Sequence, residues 1–219
     1  MVDWPAVNTV FLDMDGTLLD LHFDNHFWLE HVPRRYAEHH AVTLAAARAL
    51  LRERYRAVEG TMAWYCVDYW SDQLGLDIAL LKQEVEHLIA VHPDVVEFLD
   101  AVRGSGRRVV LVTNAHGKSL ELKLRRTRLG RHLDGVVCAH DLGLPKEDPG
   151  FWVRLAVREP FRPAATLLVD DSLPVLRSAA RHGIAHLLAV RRPDSRQPPR
   201  AVTEFPAIDG FADLLPLSA

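Results

Sequence analysis

Short apolar runs alternate with amphipathic stretches along most of this chain. The run from Val7 to Leu12 is short and ends at two carboxylates, as expected of a buried parallel strand rather than a helix. Beyond residue 93, similar runs alternate with helical patterns; they cover residues 108–113, 135–138, 165–169 and 184–190. Strands that alternate with helices are typical of βαβ units. The pattern therefore predicts an α/β fold with a doubly wound parallel sheet and helices on both faces.

Residues 21–92 follow a different pattern, in which helical periodicity dominates and no comparable strand interrupts it. Helices are predicted over residues 25–38, 43–59, 61–74 and 77–89, with Thr43 and Asp77 as N-caps and Gly60 and Gly75 as stops. All four tyrosines and three of the five tryptophans lie in this segment. We interpret residues 21–92 as a small helical cap inserted into an α/β core formed by residues 1–20 and 93–219.

The predicted core helices cover residues 93–102, 118–129, 149–158 and 173–181. Pro93 is expected in the first turn of its helix, where a missing N–H costs nothing. Gly130 and Gly183 are expected to end two of the others. The tail after Arg191 is rich in proline and charge, which predicts a surface wrap with a short terminal helix.

Composition narrows the classes of function. The 219 residues, 48% of them apolar, are enough for a full hydrophobic core. A net charge of −3 gives no reason to expect a nucleic-acid or membrane surface. Cys66 and Cys138 match no metal or redox spacing and are expected to be buried free thiols in a reducing compartment. With no leader and no apolar stretch near ~20 residues, we expect a soluble, cytoplasmic protein.

Polar residues follow three of the predicted strands at the point where each strand ends. They are Asp13 and Asp15, Thr113 and Asn114, and Asp170 and Asp171. Adjacent parallel strands bring such residues to one edge of the sheet, which is where ligands bind in open α/β folds. Clustered carboxylates repel one another and require a positive partner. A magnesium ion fits this donor set, and Lys146 can supply a fixed positive charge.

Each of these features has a simpler interpretation when taken alone. Asp-x-Asp-Gly also opens calcium loops, but a Glu is needed at the twelfth position, and that position is Asp24, preceded by several leucines. Asp170 and Asp171 could cap a helix, and Lys146 could be a solvated loop lysine. The strand-end carboxylates and Lys146 taken together favour a site that binds phosphate.

The chain resembles the haloacid dehalogenase-like phosphatases in four motifs that occur in the family's order. These motifs are Asp13-Met14-Asp15-Gly16-Thr17-Leu18, Val112-Thr113-Asn114, Lys146, and Asp170-Asp171-Ser172. The helical segment follows the first motif, as in members that carry a type-one cap. The resemblance implies a Rossmann-like core and a phosphatase that depends on Mg²⁺.

The resemblance also implies a role for each motif residue. Asp13 would be the nucleophile that forms an aspartyl-phosphate, and Asp15 the general acid and then base. Thr113 and the backbone near Asn114 would hold the phosphoryl oxygens, which Lys146 would neutralise. The carboxylate of Asp13, the carbonyl of Asp15 and the acidic pair Asp170 and Asp171 would bind magnesium, with Asp171 as a direct ligand.

The helical segment is similar to the cap of bacterial 5'-nucleotidases that act on GMP and IMP. The similar stretches are residues 19–28 and 64–77, together with Thr113-Asn114-Ala115-His116 and the tail. The implied partner is a small phosphate monoester, a purine nucleoside monophosphate, which can stack on Trp or Tyr for about 1–3 kcal/mol. Candidate contacts are Asn25, Trp28, Trp64 and Asp68. The alternative is that these aromatics only pack the segment against the core.

Three other functions stay open at this point. The nearest is a phosphatase or phosphomutase of the same family that acts on a phosphosugar or phosphoglycolate. A halogen-removing hydrolase would not need Asp15 and the acidic pair. A non-enzymatic phospho-receiver carries its acidic pair early in the chain and has no cap insertion, whereas here the pair comes last.

Overall fold

One parallel sheet carries the strands that the sequence predicts. The computed structural model describes residues 2–217, and in these the sheet has the order β3-β2-β1-β4-β5-β6. Its strands are Thr9–Leu12 (β1), Arg108–Thr113 (β2), Gly135–Cys138 (β3), Thr166–Asp170 (β4), His186–Val190 (β5) and Ala207–Ile208 (β6). All neighbours pair in parallel, which confirms the predicted sheet.

Strand β1 lies at the centre of the sheet, between β2 and β4. Leu12 is in register with Leu111 on one side and Val169 on the other, so the three strands end at the same edge. Val10 and Leu12 pack into the hydrophobic core on one face of the sheet, and Phe11 packs into the core on the opposite face. Both faces are therefore covered, as the apolar runs require.

Residues between β1 and β2 form helices. These are His22–His26 (α1), Val32–His40 (α2), Leu44–Val58 (α3), Met62–Tyr65 (α4), Val67–Leu74 (α5) and Ile78–Glu84 (α6). A π-helical segment, Phe27–His31, joins α1 to α2 and ends two residues before Pro33, which has no N–H to donate. Thr43 caps α3 and Asp77 caps α6 through their side chains, as predicted.

Two of the helices predicted in this segment are interrupted. The stretch 61–74 divides into α4 and α5 at Cys66, whose backbone is extended and whose sulfur accepts a hydrogen bond from the N–H of Tyr69. Cysteine is not among the residues that normally signal a helix N-cap, so the sequence pattern does not show this break. The stretch 77–89 ends as an α-helix at Glu84 and continues as a short 3-10 turn, Glu86–Leu88.

Five α-helices lie in the remainder of the described residues, up to residue 217. They are Val95–Gly104 (α7), Gly117–Thr127 (α8), Ala139–Leu142 (α9), Pro149–Arg158 (α10) and Leu173–His182 (α11). The prediction for Pro93 was wrong, because Asp94 adopts a left-handed conformation (φ 62°) and α7 starts only after it. Helix α8 ends before Arg128, which also has positive φ, rather than at Gly130.

The tail contains one element that the hydrophobic pattern does not reveal. Two residues, Ala207 and Ile208, add β6 to the sheet edge beside β5, and a 3-10 turn, Phe211–Leu214, follows. A two-residue strand is too short to show alternation. Among residues 2–217, no helix has the length and apolarity needed to cross a membrane.

Candidate active site

The ends of β1, β2 and β4 place the predicted polar residues together. Asp13 follows β1 and is anchored by its N–H, which donates to the carbonyl of Val169 at 3.0 Å. Thr113 ends β2 and Asp170 ends β4. All three side chains are buried. The structure therefore assembles one buried polar site at the carboxyl edge of the sheet.

Lys146 lies at the centre of this site and is only 1% exposed. Its Nζ donates to Oδ1 of Asp13, to Oδ2 of Asp170 at 2.7 Å and to the carbonyl of Val112 at 3.0 Å. These contacts use all three ammonium protons. Lys146 is thus a fixed positive charge between two carboxylates, not a solvated loop lysine.

Asp171 approaches the same site from the loop after β4. Its Oδ2 accepts a hydrogen bond of 3.1 Å from Arg200 of the tail. Gly16, with φ 86°, makes this approach possible, because a Cβ at that position would lie 2.8 Å from Cγ of Asp171. The glycine is required for its backbone conformation and for the space it leaves.

Three carboxylates of this site form a donor set that could hold a metal ion. One oxygen each from Asp13, Asp170 and Asp171 lies within 4.8 Å of the others. Burial raises the pKa of Asp13 to about 7, and repulsion by Asp170 adds to the shift. The pKa of Asp171 also rises to about 7, through burial and repulsion by Asp13. Burial raises the pKa of Asp170 to about 6. Lys146 offsets only part of this negative charge. An all-oxygen donor set with uncompensated charge fits a hard divalent cation.

Asp15 belongs to a second network, built on buried lysines, that the sequence pattern does not reveal. Lys123 of α8 is 1% exposed, and its Nζ donates to Oδ1 of Asp15 at 2.7 Å and to Oδ2 of Asp24 at 2.6 Å. Lys82 of α6 donates to the other oxygen of Asp24 at 3.0 Å. The order Asp15, Lys123, Asp24, Lys82 alternates in charge from the strand end into the helical segment.

The two carboxyls of this network have opposite proton affinities. Burial raises the pKa of Asp15, and the attraction of Lys123 does not overcome it. Burial acts the same way on Asp24, but Lys123 and Lys82 together lower its pKa to about 2. Asp15 is therefore the carboxyl of the pair that holds a proton more tightly, as a general acid requires.

The side chain of Asn114 positions the loop that carries Lys146. Its Oδ1 accepts from the N–H of Lys146 at 2.9 Å, and its Nδ2 donates to Glu147 at 3.0 Å. The other oxygen of Glu147 accepts from the hydroxyl of Tyr65 in α4. Asn114 thus links β2, the Lys146 loop and the helical segment. Nearby, Oγ1 of Thr113 accepts from the N–H of Ala115 at 3.0 Å.

A cavity of about 360 Å³ extends from these residues toward the helical segment. Its lining includes Asp13, Asp15 and Lys146 near the strand ends, and Asn25, Trp28 and Trp64 from the helical segment. Trp64 packs on Tyr55 with ring centroids 5.9 Å apart, and Trp28 packs on the same ring at 5.7 Å. The amide of Asn25 donates to Asp194 at 2.7 Å.

Asp68 is the one predicted site residue that lies apart from the cavity. Its side chain is 55% exposed and pairs with Lys118 on the surface, and it does not contribute to the described lining. In α5 it faces away from Trp70, which is buried. The pattern Asp68-Tyr69-Trp70 gave no indication of which of these side chains points inward.

The comparisons with known proteins agree with the geometry. The chain is 40% identical over 215 residues to the GMP/IMP nucleotidase YrfG of Escherichia coli (strain K12), covering 98% of this chain and 97% of that protein. It is 28% identical over 193 residues to a phosphoglycolate phosphatase of Nitrosospira multiformis (84% and 83% covered). A crystal structure of a HAD phosphatase from Thermococcus onnurineus superposes with a TM-score of 0.79 at 21% identity, covering 95% of this chain and 96% of that one.

The family comparison covers the sheet edge and both buried lysine networks. The haloacid dehalogenase-like hydrolase family matches residues 7–183, a range that includes every residue of the described site except the tail residues Asp194 and Arg200. The fold, the order of the strand-end residues and the match over most of the chain lead to the same assignment. The chain belongs to the haloacid dehalogenase-like hydrolases.

Proposed function

We propose that this protein is a magnesium-dependent phosphatase that hydrolyses a purine nucleoside 5'-monophosphate, GMP or IMP, through an aspartyl-phosphate. The observation that carries the proposal is the position of Lys146 between Asp13 and Asp170, beside Asp171. A buried lysine among carboxylates provides a preorganised positive charge for an anionic group. The similarity to a GMP/IMP nucleotidase supports the nucleotide as substrate.

Asp13 is the proposed nucleophile. Lys146 binds its Oδ1 and fixes the carboxylate, while Oδ2 attacks phosphorus in line with the leaving ribose oxygen. The aspartyl-phosphate that forms is then hydrolysed by water, which regenerates the carboxylate. Such a reaction depends mainly on positioning and charge neutralisation.

Asp15 is the proposed general acid and base. Lys123 holds one oxygen of its carboxyl at 2.7 Å, and burial raises its pKa, so that it can carry a proton to the leaving oxygen. The carboxylate left behind then takes a proton from the attacking water. We further propose that Thr113 and the backbone near Asn114 hold the phosphoryl oxygens, and that Lys146 neutralises them.

The acidic residues support magnesium as the cofactor. Asp13, Asp170 and Asp171, together with the carbonyl of Asp15, would hold the ion, and the missing side chain at Gly16 leaves room for Asp171. When bound, Mg²⁺ supplies positive charge to the phosphoryl group and keeps the carboxylates ionised. Arg200 would then release Oδ2 of Asp171.

Residues 21–92 are proposed to act as a substrate-selecting cap on the core of residues 1–20 and 93–219. The aromatic residues Trp28 and Trp64 of this segment line the same cavity as Asp13, which suits a purine whose phosphate lies at Asp13. A flat base gains about 1–3 kcal/mol by stacking on such rings. Asn25 is a candidate polar contact; the exposed Asp68 is not.

The other functions fit the site less well. A halogen-removing hydrolase has no need for the acidic cluster or for Asp15 held by Lys123, and a phospho-receiver has no need for an enclosed aromatic cavity. A phosphatase for small esters shares the same core, and the 28% identical phosphoglycolate phosphatase keeps it as the second candidate. The two candidate substrates differ in that only the nucleotide has a base to place beside Trp28 and Trp64.

A substrate panel tests the proposal. We would measure phosphate release with Mg²⁺ from GMP, IMP, AMP, pyrimidine monophosphates, phosphoglycolate and sugar phosphates. The highest kcat/KM is expected for GMP and IMP. A preference for phosphoglycolate would support the phosphatase mechanism but contradict the nucleotide as substrate. If no ester released phosphate, both the mechanism and the substrate would be contradicted.

A further inference from the structure

A second group of metal-ligating side chains lies where the helical segment meets the core. It consists of Cys66, between α4 and α5, His116, directly before α8, and His140 in α9. One ligand atom from each lies within 4.8 Å of the others. These residues are separate from Asp13, Asp170 and Asp171, and none of them has a role in the proposed phosphatase reaction.

His140 has no hydrogen-bonding partner that explains its position. Both of its ring nitrogens are buried, and neither forms a hydrogen bond with any residue of the described chain. Buried polar atoms in folded proteins are nearly always paired. The ring of His140 packs edge-on against that of His116, with centroids 4.9 Å apart. An imidazole that has no hydrogen bond and lies beside a second imidazole and a thiol has the surroundings typical of a metal ligand.

The protonation states of the cluster also suit metal binding. Burial, together with the neighbouring His116, lowers the pKa of His140 to about 4, and burial lowers the pKa of His116 as well. The His140 ring is therefore neutral near pH 7 and has a lone pair to donate. At His116, Nδ1 accepts from the N–H of Lys118 at 3.4 Å, and Nε2 lies 3.7 Å from Oδ2 of Asp68. The N–H of Tyr69, at the start of α5, points at Sγ of Cys66 over 3.4 Å, an orientation that stabilises negative charge on a thiolate.

We infer that Cys66, His116 and His140 form a binding site for a thiophilic divalent cation of the Zn²⁺ type, which ties the helical segment to the core. Two imidazoles and a thiolate are a zinc ligand set, and water can complete a tetrahedron. Ligand atoms on one zinc ion lie roughly 3.3–3.8 Å apart at tetrahedral angles, so shifts of about 1 Å close the site. Cys66 loses its proton to solvent when the ion binds.

The site would couple cation binding to the position of the helical segment. Cys66 belongs to that segment, whereas His116 and His140 belong to the core. His116 also lines the active-site cavity, three residues after Thr113. A bound cation would fix the distance between the two parts of the chain and would hold the cavity closed.

Direct binding measurements test this inference without reference to turnover. The purified full-length protein, reduced with a non-chelating phosphine and supplied with excess Mg²⁺ to occupy the carboxylates, is titrated with Zn²⁺ against a chromophoric chelator. One Zn²⁺ per chain is expected. Titration with Co²⁺ should give the visible bands of tetrahedral coordination and an ultraviolet thiolate charge-transfer band.

Matched variants identify the ligands. Cys66→Ser and His140→Ala are expected to weaken Zn²⁺ binding by at least about tenfold, and Cys66→Ser should abolish the thiolate band. Cys138→Ser, which removes the only other thiol, should leave affinity and band unchanged. Circular dichroism verifies that each variant folds. Equal Zn²⁺ affinity in wild type and Cys66→Ser, or loss of binding in Asp171→Asn, would overturn the site.

Hydrogen–deuterium exchange tests whether the bound cation connects the helical segment to the core. Zn²⁺ should slow exchange in peptides that contain Cys66 and also in peptides that contain His140, and Cys66→Ser should lose both effects. Slowing on only one side would contradict a cation shared between the helical segment and the core. Because binding and exchange are measured without substrate, this inference can fail while the proposed phosphatase function stands, and the reverse also holds.

Discussion

Lys123 donates a hydrogen bond of 2.7 Å to Asp15 from 108 residues away in the sequence, and its ammonium is buried while the carboxylate it binds is partly buried. This contact connects the catalytic strand end to helix α8. Through Asp24, the same ammonium reaches Lys82 in α6. The proposed general acid is therefore positioned by residues of both the core and the helical segment.

Replacing Lys123 is expected to damage both stability and turnover. Lys123→Met leaves two partly buried carboxylates with one fewer cation, and breaking a buried ion pair costs roughly 3–5 kcal/mol. Turnover should fall by at least about tenfold, since general acid–base catalysis contributes about 10²–10⁴-fold. Chemical denaturation and steady-state kinetics measure the two effects.

Lys118→Met is the matched control, because Lys118 lies on the same helix but its ammonium is at the surface, paired with the exposed Asp68. It should leave both quantities at wild-type values. A Lys123→Met protein with wild-type kcat would show that Lys123 does not position Asp15.

Gly16→Ala should weaken magnesium binding. Positive φ at 86° penalises any side chain by about 1–2 kcal/mol, and the new Cβ would lie 2.8 Å from Cγ of Asp171. Gly183→Ala is the control, since that residue also has positive φ, 96°, and a Cβ there would meet no atom within 4 Å. Both variants should unfold more easily, but only Gly16→Ala should raise the Mg²⁺ concentration needed for half-maximal activity. Equal Mg²⁺ requirements would contradict the role given to this contact.

Stabilisation by Mg²⁺ should increase with pH. Burial raises the folded-state pKa of Asp13 and Asp171 to about 7 and that of Asp170 to about 6, from 3.8. Between these values the folded apo-protein holds more protons than the unfolded chain, so these groups lower its stability as pH rises. Mg²⁺ displaces these protons, so the folded protein no longer loses stability through these groups as pH rises.

Thermal unfolding with Mg²⁺ and with a chelator, below pH 6 and above pH 7, measures the effect on either side of these pKa values. The difference in midpoint should be larger at the higher pH. Asp24, with a pKa lowered to about 2 from 3.8, titrates below this window and does not contribute. A Mg²⁺ effect that shrinks as pH rises would argue against a site built from these three carboxylates.

Trp64→Leu should affect nucleotides more than small esters. Losing a stacking surface worth about 1–3 kcal/mol corresponds to a rise of roughly 5- to 150-fold in KM for GMP. The Trp64 carbonyl, which accepts from the indole of Trp70 at 2.9 Å, is backbone and persists in the variant. Steady-state kinetics with GMP and with a small phosphate ester compare the two effects. Equal losses for both substrates would assign Trp64 to packing alone.

Much of the fold and the centre of the site follow from the sequence because they are local signals. Each strand is a bounded apolar run, and each site residue such as Asp13 or Asp170 stands directly after one, so topology alone brings them together. A positive partner such as Lys146 is also expected, since carboxylates that converge require a cation, but its burial is seen only in the structure.

The rest depends on contacts that no sequence spacing encodes. Lys123 and Lys82 occupy helix positions that look like surface lysines, and they are buried only because Asp15 and Asp24 lie opposite them. Cys66 and His140 are 74 positions apart, a spacing that matches no metal motif. The orientation of Asp68 depends on how α5 packs, and periodicity over an eight-residue helix does not fix it.

Turnover by Asp13→Asn tests the central claim most directly. The substitution keeps the size of the side chain and removes the nucleophilic oxygen, so phosphate release from GMP in the presence of Mg²⁺ should fall by about 10⁴-fold or more, while the circular dichroism spectrum stays that of wild type. Retention of near-normal, Mg²⁺-dependent release by a folded Asp13→Asn protein would contradict the assignment of Asp13 and the aspartyl-phosphate mechanism with it.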